Sequence, residues 1–193
     1  MISSRRLERI RQVLAKRQKD LTLILSNIHD PHNVSAILRS CDAFGVHRVH
    51  LYYTTTAFPS LGKKSSASGK KWVEIVRHRE PGPMLDAMKA QGYQILATAF
   101  DEDAVSLHEV DLTKPTAIAL GNEHSGVGPE LRQAADHGLY IPMQGMIQSF
   151  NVSVAAAIIL HEAHRQRLGQ QQPSDRYLTD EEIEELARDW ETR

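Results

Sequence analysis

Three short polar segments carry the side chains best suited to binding or catalysis. The first has Asn33 and, six residues later, Arg39 on one predicted helix, and the others are residues 121–123 (Gly-Asn-Glu) and 148–151 (Gln-Ser-Phe-Asn). Amide, carboxylate, hydroxyl and guanidinium groups orient polar substrates and handle their protons. A single Arg on a polar helix face is usually only solvated. Together with two further polar turns, however, it indicates a functional site.

Two common nucleotide-binding motifs are missing from the chain. Residues 121–128 come nearest to the glycine-rich dinucleotide motif, but they lack its first two glycines at the required spacing. No Walker A sequence occurs either. The sequence therefore argues against a nicotinamide dinucleotide site and against a P-loop nucleotidase.

Cysteine and histidine residues are the other candidates for chemistry. Cys41, the single cysteine, lies on an apolar helix face, which predicts a packed core thiol rather than a nucleophile. His29 and His32 are spaced by three, as are His161 and His164, and the second pair shares one face of a predicted helix. Neither pair has a third ligand at a familiar spacing. We therefore predict no metal site, and a metal hydrolase is the least favoured function.

Strands and helices that could position these residues alternate along the chain. Helices are predicted at residues 4–18, 34–44, 83–91, 129–135, 151–168 and, in the C-terminal tail, from a capping box at 179–182. Strands are predicted at residues 21–28, 48–53, 72–77, 93–100, 115–121 and 139–143. Asn33 or Ser35 is expected to cap the second helix and Gly45 to end it, and residues 54–71 are expected to form a long loop.

This alternation predicts an α/β fold with a mostly parallel sheet, flanked by a helix at each end of the chain. In such sheets ligands bind beyond the carboxyl ends of the strands. Those ends are predicted at residues 27–33, 98–101, 121–126 and 142–151. We therefore expect the polar segments to meet there.

Composition narrows the class of protein further. The chain has 193 residues, 41% of them hydrophobic, and a formal net charge of −1. No apolar run approaches the roughly 18 residues of a membrane span, and no signal-peptide pattern precedes Leu21, so a cytoplasmic protein is expected. We predict a basic helical extension (residues 1–20), one main domain (21–168) and an acidic helical tail (169–193).

Charge is distributed unevenly between the two ends. Residues 1–20 hold seven Lys or Arg against two acidic residues, whereas residues 175–193 hold eight Asp or Glu against three Arg. A basic end on an otherwise balanced chain suggests a polyanionic partner, although a solvated helix surface is an equal alternative. The acidic tail is expected to pack through Ile183, Leu186 and Trp190.

Three segments carry a family resemblance. Residues 28–39 (IHDPHNVSAILR) resemble the first motif of the SPOUT class of RNA 2'-O-methyltransferases. Residues 121–123 followed by Gly126 resemble the second motif, and residues 141–143 through 148–155 resemble the third. Within that class the chain most resembles the TrmH family of tRNA guanosine 2'-O-methyltransferases. The motifs occur in order and at suitable spacing over about residues 9–168.

The resemblance implies a deep C-terminal trefoil knot, which is rare among folds, and S-adenosyl-L-methionine as cofactor. By motif, the cofactor pocket would be lined by Thr98, Gly121, Ile141 and Phe150. Departures from the family pattern are Lys19, where the family often has Pro, Phe150, where Leu is commoner, and the short tail after Leu168. The tail bears on the RNA target rather than on the class.

The same resemblance gives Arg39 the central catalytic role. A guanidinium is an awkward base, so phosphate binding and oxyanion stabilisation are an alternative to proton removal. Asn33 would orient Arg39 or the ribose, and Glu123, Ser149 and Asn151 would shape the substrate side. Helix capping by Ser149 or Asn151, and a salt bridge of Glu123, are the structural alternatives.

An RNA partner would be tRNA in the leading interpretation, methylated at guanosine 18 of the D-loop. Alternatives are a ribosomal RNA ribose methyltransferase and a non-catalytic RNA-binding module. A 2'-hydroxyl acceptor excludes DNA. The Ala-rich helix at residues 151–168 would form a homodimer interface, or else pack within its own domain. The expected phosphate contacts are Arg5, Arg6, Arg9, Arg11, Lys63, Lys64, Lys70 and Lys71.

Overall fold

The computed structural model describes residues 3–60, 69–101, 103–169 and 175–193. Two of the expected phosphate contacts, Lys63 and Lys64, lie outside the described residues. Within the described ranges, no helix combines the length and the apolar character needed to cross a membrane.

One parallel sheet forms the centre of the molecule. Its strands are β1 (Leu21–Ser26), β2 (Arg48–Tyr52), β3 (Glu74–His78), β4 (Gln94–Thr98), β5 (Val105–Ser106), β6 (Thr116–Leu120) and β7 (His137–Tyr140). In the described part of the chain they are ordered β3-β2-β1-β6-β4-β7-β5, and every neighbouring pair is parallel. The parallel α/β prediction is confirmed, and only the two-residue β5 was not foreseen.

Adjacent central strands β1 and β6 mark the switch point of the sheet. From β1 the chain proceeds outwards through β2 to β3, and the later strands lie on the other side of β6. Both strands are buried along their whole length, because helices cover both faces of the sheet. Ligands in open parallel sheets bind beyond the carboxyl ends of the strands that flank such a point.

Helices cover both faces of this sheet. They are α1 (Ser4–Leu14), α2 (Pro31–Ala43), α3 (Gly69–Trp72), α4 (Gly82–Ala90), α5 (Pro129–Ala134), α6 (Val152–Arg167) and α7 (Asp180–Glu191). α2 and α6 contribute Leu38 and Ile159 to the larger apolar cluster on one face. α4 and α5 contribute Met84 and Leu131 to the cluster on the other. Cys41 is fully buried in the first cluster, as predicted, and burial raises the pKa of its thiol.

Three local expectations are corrected. α1 ends at Leu14 rather than residue 18, because Arg17 turns inward and donates to the Val46 carbonyl at 3.2 Å. α2 begins at Pro31, and its cap is Asp30, not Asn33 or Ser35, because the Asp30 carboxylate accepts from the His32 amide at 2.8 Å. Part of the predicted loop at residues 54–71 is helical, since α3 begins at Gly69.

The two terminal helices pack against each other. Ile183 and Trp190 of α7 meet Ile10 and Leu14 of α1, and the Trp190 ring lies 4.8 Å from that of Trp72. The predicted capping box at residues 179–182 is present. Ion pairs join Arg11 to Glu184 at 2.6 Å and Lys19 to Glu182 at 2.8 Å. The acidic tail therefore packs by its apolar face, as expected, and also neutralises part of the basic end.

Beneath the amino ends of β1 and β6 lies a buried ionic network, which we call the lock. Asp20 accepts from Arg167 at 2.7 Å and from Arg176 at 2.8 Å, and both arginines are 3% exposed. Arg167 also donates to the Leu112 and Lys114 carbonyls, each at 2.8 Å. The lock joins the start of β1, the segment before β6, the end of α6 and the C-terminal tail.

Candidate active site

A cavity of about 540 Å³ opens at the carboxyl ends of β4, β6 and β7, beside the start of α6. Drug-sized and cofactor-sized ligands occupy cavities of about 300–1,000 Å³. The four residues predicted to hold a cofactor all line it: Thr98, Gly121, Ile141 and Phe150. Convergence of these segments, predicted from the alternation of strands and helices, is confirmed; their contact with a cofactor stays a prediction.

Backbone atoms form the tightest wall of this cavity. A Cβ atom added at Gly121 would lie 1.9 Å from the carbonyl carbon of Gly126 and 2.1 Å from the Val127 nitrogen, so no side chain fits there. Gly126 has a φ of +66°, which favours glycine. The Asn122 side-chain oxygen accepts from the His124 and Ser125 amides at 2.9 and 2.8 Å and holds the turn closed. The wall therefore suits a ligand recognised through backbone groups.

A chain of hydrogen bonds connects all three sequence motifs at the mouth of the cavity. The Asn33 amide donates to the Glu123 carboxylate, and the Asn151 amide donates to the Asn33 side-chain oxygen at 3.2 Å. The Asn151 oxygen in turn accepts from the Ser153 amide at 2.9 Å and caps α6. Since each donor faces an acceptor, both Asn side chains have defined orientations. We call Glu123–Asn33–Asn151 the site chain.

The site chain decides between several alternatives. Capping by Asn151 is confirmed, and the same side chain also contacts Asn33, so the two interpretations coexist. Ser149 lines the cavity and is not the cap of α6. Glu123 accepts from a neutral amide and makes no salt bridge within the described ranges, so its negative charge is not offset by a cation there.

Arg39 lies outside the cavity of its own chain. Its side chain is exposed on α2 and makes no hydrogen bond or ion pair with any described residue, and the cavity lining does not include it. Six residues turn a helix by about 600°, which places Arg39 on a different face from Asn33. The short helix α3 packs beside it: a Cβ atom at Gly69 would lie 3.1 Å from the Arg39 nitrogen.

Asn27 and Tyr53 position the turn between β1 and α2. Asn27 adopts a φ of +48°, and its side-chain oxygen accepts from the Thr54 and Thr55 amides at 2.9 and 3.1 Å. The Tyr53 hydroxyl donates to the Ile28 carbonyl at 2.9 Å, and burial raises its pKa. An Asn in the left-handed region stores strain that its hydrogen bonds must offset. These contacts hold the turn that leads into α2, whose first turn carries Asn33.

Several residues of the cavity were missed in the sequence. Arg132 of α5 lines it and forms an ion pair with Asp101, and the rings of Phe100 and Tyr140 lie 6.4 Å apart at its edge. Asp101 lies in a predicted strand-end segment, which was a usable signal. Nothing local to Arg132 or Tyr140 indicates the cavity, because helix α5 and the end of β7 reach it only through the fold.

The two histidine pairs noted in the sequence lie in different places. Of the first pair, His32 is exposed at the start of α2, whereas His29 meets His124 at the site, with ring centroids 5.7 Å apart. His161 and His164 lie instead against Phe44, at 6.1 and 5.8 Å. No group of three His, Cys, Asp or Glu side chains suited to a metal ion occurs in the described ranges.

The expected phosphate contacts differ in their surroundings. Arg5, Arg6 and Arg9 are exposed on α1, as are Lys70 and Lys71 on α3. Arg11 is instead paired with Glu184 through two hydrogen bonds, at 2.6 and 2.9 Å.

A parallel sheet with a ligand-sized cavity at the carboxyl ends of β4, β6 and β7, closed by a turn without side-chain space, is typical of α/β enzymes that bind a compact cofactor. Within that class, the chain belongs to the SpoU rRNA Methylase family, whose model matches residues 20–161.

Individual relatives agree with this membership. An Aquifex aeolicus protein named tRNA (guanosine(18)-2'-O)-methyltransferase is 42% identical over 190 residues, which are 98% of this chain and 90% of the relative. The crystal structure of the A. aeolicus TrmH/SpoU tRNA modifying enzyme superposes with a TM-score of 0.88 at 43% identity, covering 96% of this chain and 94% of that one. The methyltransferase AviRb from Streptomyces viridochromogenes, solved with AdoMet, gives 0.70 at 29% identity, covering 83% and 62%.

Proposed function

We propose that this protein transfers a methyl group from S-adenosyl-L-methionine to the ribose 2'-hydroxyl of guanosine 18 in tRNA. The site chain carries this proposal: it joins three family motifs at the mouth of a cavity lined by every residue expected to hold the cofactor. The name of the A. aeolicus relative, whose match spans nearly the whole chain, favours tRNA as the substrate.

The cavity fits the proposed cofactor in size and chemistry. Gly121 leaves backbone groups facing the ligand, and Leu120, Ile141 and Phe150 supply apolar surface. When bound, the cofactor supplies an electrophilic methyl group on a sulfonium centre. The protein must hold the ribose oxygen in line with it and exclude competing water, because orientation provides much of such a rate enhancement.

In this proposal the site chain orients the ribose. Asn33 is fixed by Glu123 and Asn151, so its position costs little entropy when RNA binds. Glu123 accepts the Asn33 amide through Oε1 and retains Oε2 as an acceptor for a ribose hydroxyl. The 2'-hydroxyl must still lose its proton during transfer, and the RNA phosphate or water is the acceptor in this scheme.

Arg39 is proposed to act at a site completed by a second copy of the chain. Its exposure and its position outside its own cavity support this arrangement. Its guanidinium would contact the target phosphate through paired hydrogen bonds and stabilise the developing oxyanion.

A homodimer is part of the proposal. Large apolar side chains are exposed beside the cavity: Phe100 is 65% exposed, Met146 99% and Ile147 63%, and Val154 of α6 is also exposed. A monomer seldom leaves such neighbours in contact with water. Sedimentation of the purified chain tests this directly, and a concentration-independent monomer would contradict it.

A trefoil knot is likewise proposed for the segment after β7. Residues 149–151 return to the cavity formed by the ends of β4 and β6, which is the convergence that a knotted chain requires. The TM-score of 0.88 with the A. aeolicus enzyme supports the same path.

Methyl transfer from labelled donor to total tRNA and to ribosomal RNA tests the function. We expect label in tRNA, mapped to guanosine 18 and lost from a transcript with another nucleotide there. Label in ribosomal RNA alone would instead identify a ribosomal RNA ribose methyltransferase. RNA binding without transfer would indicate the non-catalytic module.

Arg39 has its own test. Replacing it with Ala should abolish turnover while calorimetry shows unchanged donor affinity. Arg39→Lys keeps the charge but loses the planar fork and should recover only a small part of the rate. Full activity of Arg39→Ala would contradict the assigned role.

A further inference from the structure

Two exposed imidazoles border the site chain and have no part in it. His29 lies in the turn between β1 and α2, four residues before Asn33, and His124 directly follows Glu123. Their ring centroids are 5.7 Å apart and their planes are inclined by 42°. Since Asn33 and Glu123 are hydrogen-bonded, the ring pair lies on the rim beside that bond.

Nucleotide chemistry places a base close to this rim. The carbon that carries the 2'-hydroxyl is bonded directly to the carbon that carries the base, so the base stays within a few ångströms of the reacting oxygen. The cavity itself is proposed to hold the cofactor. The base must therefore rest on the rim next to the side chains that orient the ribose.

We propose that His29 and His124 form the docking surface for the base of the target nucleotide. This inference rests on the proposed function. Unpaired RNA bases stack on aromatic side chains, histidine included. At 5.7 Å the rings are too close for a base to enter between them, which would need about 7 Å, so the base packs against their exposed faces.

Other roles for the pair fit the structure less well. A metal ion would require a third ligand, and the described residues supply none. Phe100 is exposed on another part of the rim, where it lines the cavity and its ring lies 6.4 Å from that of Tyr140. A proton-carrying role remains distinguishable by experiment, because phenylalanine stacks but cannot ionise.

Initial rates with an unmodified tRNA transcript test the proposal. The variant His29→Ala/His124→Ala should raise KM for tRNA about tenfold, the loss expected when a stacking surface is removed. The variant His29→Phe/His124→Phe should restore KM to within about threefold. Donor affinity, measured by calorimetry, should not change in either. His137→Ala, an exposed histidine at the amino end of β7, is the matched control and should behave as the unmodified enzyme.

Three results would overturn the inference. Unchanged KM in the alanine variant, with an active parent enzyme, would remove the docking role. A phenylalanine variant as impaired as the alanine one, with a flattened pH–rate profile, would show that the imidazoles carry protons. A raised KM in Phe100→Ala alone would move the base to that part of the rim. An inactive parent enzyme on every RNA would instead defeat the proposed function itself.

Discussion

Two polar networks occupy opposite ends of the same sheet and are built on opposite principles. The lock, at the amino ends of β1 and β6, is charged and buried, and Arg167 directs all three guanidinium nitrogens at acceptors. The site chain, at the carboxyl ends, is exposed, and its links are single hydrogen bonds between amides and one carboxylate. Both join segments that are far apart in sequence.

The difference lies in how much hydrogen-bonding capacity remains. Burial lowers the pKa of Arg167, and the nearby Asp20 carboxylate opposes that shift, so the lock is stable only with its partners in place. At the cavity mouth, the Oε2 atom of Glu123 and the Ser149 hydroxyl accept no hydrogen bond from the described residues. A network with spare capacity can bind a ligand, whereas a completed one can only hold segments together.

The largest expected effect follows from opening the lock. Asp20→Asn leaves two buried guanidinium groups without their counter-charge, which should lower the free energy of unfolding by about 3–5 kcal/mol. Urea unfolding measures it. Activity per folded molecule should stay near that of the parent, because the lock lies at the other end of the sheet.

An exposed pair near the lock provides the matched control. Lys114 and Asp111 lie 3.7 Å apart at the surface, so Lys114→Ala should cost less than about 1 kcal/mol. Equal losses from Asp20→Asn and Lys114→Ala would remove the distinction between a buried network and surface charge.

The converse effect is expected at the site chain. Asn33→Ala should reduce turnover about 100-fold, the usual cost of a missing orienting donor, while the free energy of unfolding changes by less than about 1 kcal/mol. Methyl-transfer rates and urea unfolding on the same samples check both. Asn33→Asp keeps the volume but sets a second carboxylate against Glu123, and should be at least as inactive. If Asn33→Ala loses stability and activity together, the site chain stabilises the fold as the lock does, and the contrast between the two networks is wrong.

Sequence predicted the site end of the sheet far better than the lock. Parallel strands share one carboxyl edge, so polar turns after several strands had to meet there, and Asn33, Glu123 and Asn151 do. Partners in the lock are 147 and 156 residues apart and follow no local pattern. Their pairing emerges only once the chain has folded.

Some features of helix α2 could be predicted from the spacing and types of its residues. A separation of six residues already places Asn33 and Arg39 on different faces of the helix. Helix geometry alone therefore indicates that the two side chains of one chain do not enter the same cavity. The Asp30 cap was missed although Asp directly before Pro is a typical helix start. Phe100 and Tyr140 meet only through strand pairing.

Helix α1 shows the same contrast between exposed arginines and an arginine in an ion pair, and a smaller effect is expected there. Replacing Arg5, Arg6 and Arg9 with Ala should weaken tRNA binding about tenfold and reduce the magnitude of the slope of log K against log salt by about 2–3, because each exposed arginine that contacts a phosphate releases counterions. Arg11→Ala is the internal control. Because the Arg11 guanidinium is already paired with Glu184, its removal should change the slope little. If Arg11→Ala lowers the slope as much as the triple variant does, Arg11 contacts RNA despite its ion pair with Glu184 of α7.

The smallest effect concerns Glu162 of α6, near the lock, and depends on pH. Hydrogen bonds from Arg165 above all, and also from Gln166, lower the pKa of its carboxyl to about 2. The unfolded chain, with an ordinary value near 4.5, binds the proton more readily, so this contribution is complete above about pH 5 and is lost as the pH falls towards 2. Glu162→Gln should therefore be less stable than the parent by about 1 kcal/mol at pH 7 and equal to it near pH 2, as measured by urea unfolding across that range. A stability difference that does not depend on pH would mean that Glu162 acts through packing, and the charge at this edge of the lock would then contribute nothing.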